Sequence, residues 1–117
     1  MIAVIFEVAP EEGKKDEYLD IARSLKSELE VIPGFISIER FQSLVDPQKI
    51  LSLSFWKDED SIKEWRNRTT HRKAQQEGRN SVFEDYRLRV ASVIRDYGMS
   101  ERQEAPADNI FEITVKK

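Results

Sequence analysis

The sequence predicts an α+β domain in which two helices cover one face of a four-stranded antiparallel sheet. Three observations predict it: segments whose apolar residues alternate, segments whose apolar residues recur at helical spacing, and their order along the chain, β-α-β-β-α-β. That order commonly folds as a ferredoxin-like sheet with both helices on the same side.

Ile2, Val4, Phe6 and Val8 alternate with Ala3, Ile5 and Glu7, the period of a strand. Pro10 and Gly13 end it. From Asp16 the apolar residues Tyr18, Ile21, Ala22, Leu25, Leu29 and Ile32 form one helical stripe, which Pro33 and Gly34 terminate. In "FISIERF" Ile36 and Ile38 share one face, while Phe35, Ser37, Glu39 and Phe41 share the other. "VDPQ" reads as a turn into "KILSLSFW", where Leu51, Leu53 and Phe55 lie opposite Ser52, Ser54 and Trp56, so the two strands form a hairpin. "KDEDSIKEW" supplies an acidic helix N-terminus followed by Ile62 and Trp65 one turn apart. Thr69 or Thr70 can cap a second helical segment bearing His71, Ala74, Gly78 and Val82 on one face. "DYRLRVASVIRDYG" returns to a period of two, with Leu88, Val90 and Ile94 on one side. Arg87, Arg89, Ala91, Val93 and Arg95 lie on the other. A polar linker follows, and "IFEITV" reads as an extra strand, which divides the chain into a domain over 1–108 and a C-terminal extension over 109–117.

Composition narrows the functions. The 117 residues make one domain, 39% hydrophobic and 35% charged, with a net charge of −3 from 19 basic and 22 acidic residues. Arg66, Arg68, Arg72 and Lys73 are diluted by Glu64 and Glu77, so no basic footprint for nucleic acid emerges. The absence of cysteine removes disulfides, iron–sulfur clusters and thiolate zinc sites, and a single histidine removes a histidine-rich metal site within one chain. The apolar N-terminal run lacks basic flanks and is too short for a signal peptide or a membrane span, so the expected location is the cytoplasm.

Two helices hide one side of the sheet. Val4, Phe6, Ile36, Ile38, Leu51, Leu53, Val90 and Ile94 are expected beneath them. The other side then carries Ile5, Phe35, Phe41, Trp56, Ala91 and Val93, together with Glu7, Glu39, Arg87, Arg89 and three serines. Each large side chain left in water forfeits roughly 1.5–3 kcal/mol of burial. A second copy packed sheet to sheet would recover it, so a homodimer is expected.

"VIFEV" in strand one, the "PGF" stop, "SFW" leading into "KDEDSIKEW" with a histidine beyond, and "YRLRVASVIRDYGMSERQEAP" together resemble the antibiotic biosynthesis monooxygenase family over residues 1–108. The resemblance implies a dimeric α/β barrel. It also implies a monooxygenase that oxidises a small, electron-rich aromatic of the quinone or polyketide type with dioxygen and no cofactor. Other members cleave haem. Trp65 matches their helix tryptophan, but their proximal histidine falls on Gln75 and their strand-one asparagine near Ile5 to Glu7, where this chain has none. A ligand-binding or stress-response module without catalysis is the reading from another class.

In cofactor-free oxygenation a base removes a phenolic proton, the anion donates to dioxygen, and a hydrogen-bond donor stabilises the charge that develops. His71 near a helix start is the candidate base, since the helix dipole favours its neutral form. Asn67 and Arg95 are candidate donors and Tyr86 a second acid. Trp65 is either a core anchor or a platform for a flat ligand, and Trp56 an aromatic plug at the dimer interface.

Overall fold

The computed structural model describes residues 1–68, 73 and 82–108. The elements run β1 (Ile2–Pro10), α1 (Lys15–Ser24), α2 (Lys26–Glu30), β2 (Phe35–Gln42), β3 (Ile50–Trp56), α3 (Glu59–Arg66) and β4 (Phe83–Ser92). All strand pairs are antiparallel in the order β2-β3-β1-β4. This is the ferredoxin-like α+β fold expected from the element order. Its first helix is interrupted: Leu25 closes α1 and opens α2, and both pieces share the apolar stripe of Ala22, Leu25 and Leu29. The expected C-terminal strand over 109–117, and the helical segment from Thr69 to Ser81 apart from Lys73, lie outside the described residues.

Register decides which side chains meet the helices, and it corrects the expected facing of β3. Val4 stands opposite Ser54 and Phe6 opposite Ser52 on β3. Paired residues point the same way, so Ile50, Ser52, Ser54 and Trp56 turn toward the helices and are buried. Leu51, Leu53 and Phe55 turn outward and are half-buried. The expectation had these two sets reversed, because it assigned the leucines to the core by hydrophobicity alone. A one-residue change of parity moves every side chain of a strand to the other face.

A second correction comes from β2. Phe35 pairs with Trp56 but Ser37 pairs with Phe55, so Ile36 is an extra residue in the ladder. The irregularity brings Phe35 to the helix side, edge-on to Trp56 at 5.2 Å between ring centres, and leaves Ile36 exposed. The expected core residue Ile94 also lies beyond the end of β4 and is exposed. Trp56 is therefore a core residue, 2% exposed, rather than a plug on the open face.

Helix α3 is anchored at its N-terminus. Asp58 accepts hydrogen bonds from the Ser61 backbone N–H at 2.9 Å and the Ser61 hydroxyl at 2.8 Å, capping the N-terminus. Those two bonds hold its carboxyl below the usual carboxylate range. Gly34 lies against this cap with φ 90°, and its carbonyl accepts from the Lys57 N–H at 2.7 Å. Any side chain there would collide with Ser61, so only glycine allows β2 to start so close to α3.

Candidate functional site

The side chains between sheet and helices gather into two hydrophobic clusters. Val8, Tyr18, Ile50 and Val82 form one; Leu29, Ile32, Trp56 and Trp65 form the other. A close-packed core would join them. Instead a cavity of about 220 Å³ spans the space between, touching Tyr18 of the first cluster and Leu29, Trp56 and Trp65 of the second. Its volume lies somewhat below the range usual for small-molecule sites, ~300–1,000 Å³, and so suits a small ligand.

The elements supply distinct walls. The sheet contributes Val4 and Phe6 from β1, Ser52 and Ser54 from β3, and Leu88 and Val90 from β4. Helices α1 and α2 contribute Tyr18 and Leu25, and α3 contributes Ile62 and Trp65. Phe6, Phe83 and Tyr86 form an aromatic corner with ring centres 5.6–5.9 Å apart. Leu88 and Val90 face this space yet are each 46% exposed, so the β4 side is the open one among the described residues.

Several polar groups among the described residues interrupt the apolar lining. Ser54 accepts a 2.9 Å hydrogen bond from the Trp56 indole N–H, which satisfies that buried donor. Ser52 is buried opposite Arg40 in the β2–β3 ladder. The Arg40 guanidinium stands beside the Tyr18 hydroxyl; burial pushes that phenol above its ordinary pKa while the guanidinium pulls it back. Arg66 reaches the wall from the last turn of α3.

The structure brings two of the candidate residues together at this cavity. Trp65 is buried in its wall and Tyr86, 39% exposed, stands at its open side. Asn67 does not line it: it closes the C-terminus of α3, where its side-chain amide donates to the Lys63 carbonyl at 2.9 Å. Arg95 lies exposed beyond β4 and does not line it either. His71 lies outside the described residues. Among the described residues no group of three or more metal-ligating side chains occurs, and no helix is long and apolar enough to cross a membrane.

Sequence reasoning missed Arg40, Ser52 and Ser54. For Arg40 a signal existed. It lies two residues after Ile38 in an alternating strand, so the parity that buries Ile38 carries Arg40 to the same face.

The model of the antibiotic biosynthesis monooxygenase family matches residues 1–77. A protein of Pyricularia oryzae named jasmonate monooxygenase is 54% identical over 93 residues, covering 80% of this chain but only 43% of that protein, so this chain spans less than half its length. An uncharacterized Bacillus subtilis protein is 34% identical over 93 residues, covering 80% of this chain and 79% of its own. Among solved structures, a Mycobacterium tuberculosis protein superposes with a TM-score of 0.74 over 83% of this chain and 98% of its own, at 11% identity, a likeness of fold alone.

Proposed function

Because this chain belongs to the antibiotic biosynthesis monooxygenase family, we propose that the helix–sheet cavity is the chamber of a monooxygenase acting on a small, mainly apolar molecule. The carrying observation is the cavity itself, an apolar space walled by aromatic rings with a few polar groups, the usual make-up of a small-molecule site. The relative from Pyricularia oryzae, named for jasmonate, supports the reaction class.

Within this reading Trp65 is a flat wall against which the substrate lies, and Tyr86 is a proton donor at the open side. His71 retains the role of base; Asn67 and Arg95 stand away from the wall and take no part. An electron-rich aromatic supplies its own electrons: a ring CH₂ becomes C=O, and the second oxygen atom of dioxygen leaves as water. Hydroxylation of an unactivated C–H, as in a jasmonate-like substrate, draws two electrons from an external reductant.

Oxygen uptake tests this directly. Hydroxynaphthoquinone-type substrates and jasmonate are supplied separately, each with and without a nicotinamide reductant. Uptake without reductant on the aromatic panel supports the self-reducing chemistry, and reductant-dependent uptake on jasmonate supports the other. Binding without uptake in every arm would instead establish a non-catalytic ligand-binding module. Unchanged uptake in both His71→Ala and Trp65→Phe would refute the residue assignments.

A homodimer belongs to the same reading. The side of the sheet away from the helices carries Ile5, Phe41, Leu51, Leu53 and Phe55 in one apolar field. A second copy closing that face sheet to sheet would complete a barrel and leave both chambers on the outside of the joined sheets. Sedimentation at micromolar concentration is the check, and a monomer would refute it.

A further inference from the structure

A cavity lined by hydrocarbon rarely carries two guanidinium groups. This one is touched by Arg40 and Arg66, and among the described residues no aspartate or glutamate lines it. Neither arginine takes part in an ion pair among the described residues, whose four ion pairs all lie elsewhere. Arg40 is the more telling of the two. It projects inward from β2 opposite buried Ser52, beside the Tyr18 hydroxyl, and its Nε is fully buried with no hydrogen-bond partner.

A buried N–H without a partner costs about 1–3 kcal/mol, more when the group is charged. A water molecule would satisfy the donor but leave the charge unmatched. Nε–H and one terminal N–H of an arginine point in parallel, and their spacing fits the two oxygens of a carboxylate. We propose that Arg40 is an anion anchor which selects, for this chamber, molecules with an apolar body and a terminal carboxylate. Val4, Phe6, Leu25, Leu29 and Trp65 would hold the body, and the hydroxyls of Ser52 and Tyr18 flank the acid end. The inference rests on the cavity being the ligand chamber, and it names the class of ligand that chamber takes.

Both tryptophans line the cavity, so quenching of their fluorescence reports binding. The probes are two matched pairs: jasmonate with methyl jasmonate, and decanoate with methyl decanoate. The wild-type chain binds each acid about 30-fold more tightly than its ester, the scale of a charged hydrogen bond. Arg40→Gln brings that ratio to about threefold or less and leaves ester affinity in place. Arg40→Lys keeps the charge but loses the fork, and gives an intermediate ratio, which carries the test if the glutamine variant does not fold. Equal wild-type affinity for acid and ester overturns the anchor and leaves the chamber standing. So does a full acid preference that survives in Arg40→Gln. Failure of all four probes to bind overturns anchor and chamber together.

Discussion

The two faces of the sheet depart from the usual arrangement along β3. The face beneath the helices carries Ser52, Ser54 and Arg40, whereas the face turned away carries Leu51, Leu53, Phe55 and Ile5. Along β3 alone, buried Ile50, Ser52, Ser54 and Trp56 alternate with half-buried Leu51, Leu53 and Phe55. An independent two-layer domain gains most by placing its leucines inside. The departure is economical only if each face has its own occupant: a ligand among the serines and arginine, and a second sheet over the leucines. On the proposed reading, polarity on β3 separates a binding wall from an interface.

The severest way to break the comparison is to hollow out the inner face. Trp56 is held by Phe35 edge-on and by Ser54, in the cluster with Leu29, Ile32 and Trp65. Trp56→Ala costs about 3–5 kcal/mol, read as a lower denaturant midpoint at unchanged slope. Fluorescence of the remaining Trp65 checks that the fold persists. A loss below about 1 kcal/mol would mean that the inner face is not the core.

The outer face is tested by charge. Leu53→Asp places a carboxylate in the middle of the apolar field, where a sheet-to-sheet partner would bury it. Burial of an unpaired charge costs about 3–5 kcal/mol, so the dimer dissociation constant rises at least ~100-fold in sedimentation. Binding to the inner cavity stays as in the wild type. Equal oligomeric state in variant and wild type would strip the outer face of its role.

These two residues also mark what the sequence made legible. The element order was readable, because alternation, helical spacing and the acidic run that opens α3 are local signals, although the capping role of Asp58 within that run was not singled out. The facing of β3 was not, because its serines and leucines alternate with equal regularity and only the pairing with β1 decides between them. The extra residue at Ile36 left no local mark either, and it carried Phe35 to the side opposite the one its spacing implied. Of the candidate site, Trp65 and Tyr86 reach the cavity because α3 and β4 were identified correctly. Asn67 and Arg95 were chosen for their chemistry, and their backbone positions at a helix end and past a strand end aim them elsewhere.

A smaller effect separates packing from hydrogen bonding on the inner face. Ser54→Ala removes the acceptor of the Trp56 indole N–H without altering the ring contacts. The orphaned buried donor costs about 1–3 kcal/mol. Ser54→Thr restores an acceptor and recovers most of it. If alanine and threonine variants match in unfolding midpoint, the serine is there for the ligand rather than for Trp56.

The mildest test asks whether the outer face is covered. Glu7 lies on it between Arg89 and Lys49, with Lys49 Nζ at 3.1 Å. The hydrogen bond from Arg89 first, then that from Lys49, holds the Glu7 carboxyl below the usual carboxylate range. A lowered folded-state pKa means that the unfolded chain takes up the proton first as the pH falls. The stabilisation is thus complete above the unfolded value, about 4.3, and vanishes as pH drops through the folded one. Glu7→Gln lowers the melting temperature slightly at pH 7, and the gap from wild type closes in acid. Salt then distinguishes two situations. On a bare sheet, raising the ionic strength to about 1 M, where the screening length is ~3 Å, erases the gap at pH 7. Beneath a second sheet, ions are excluded and the gap persists, so a salt-insensitive Glu7 effect marks the face as an interface.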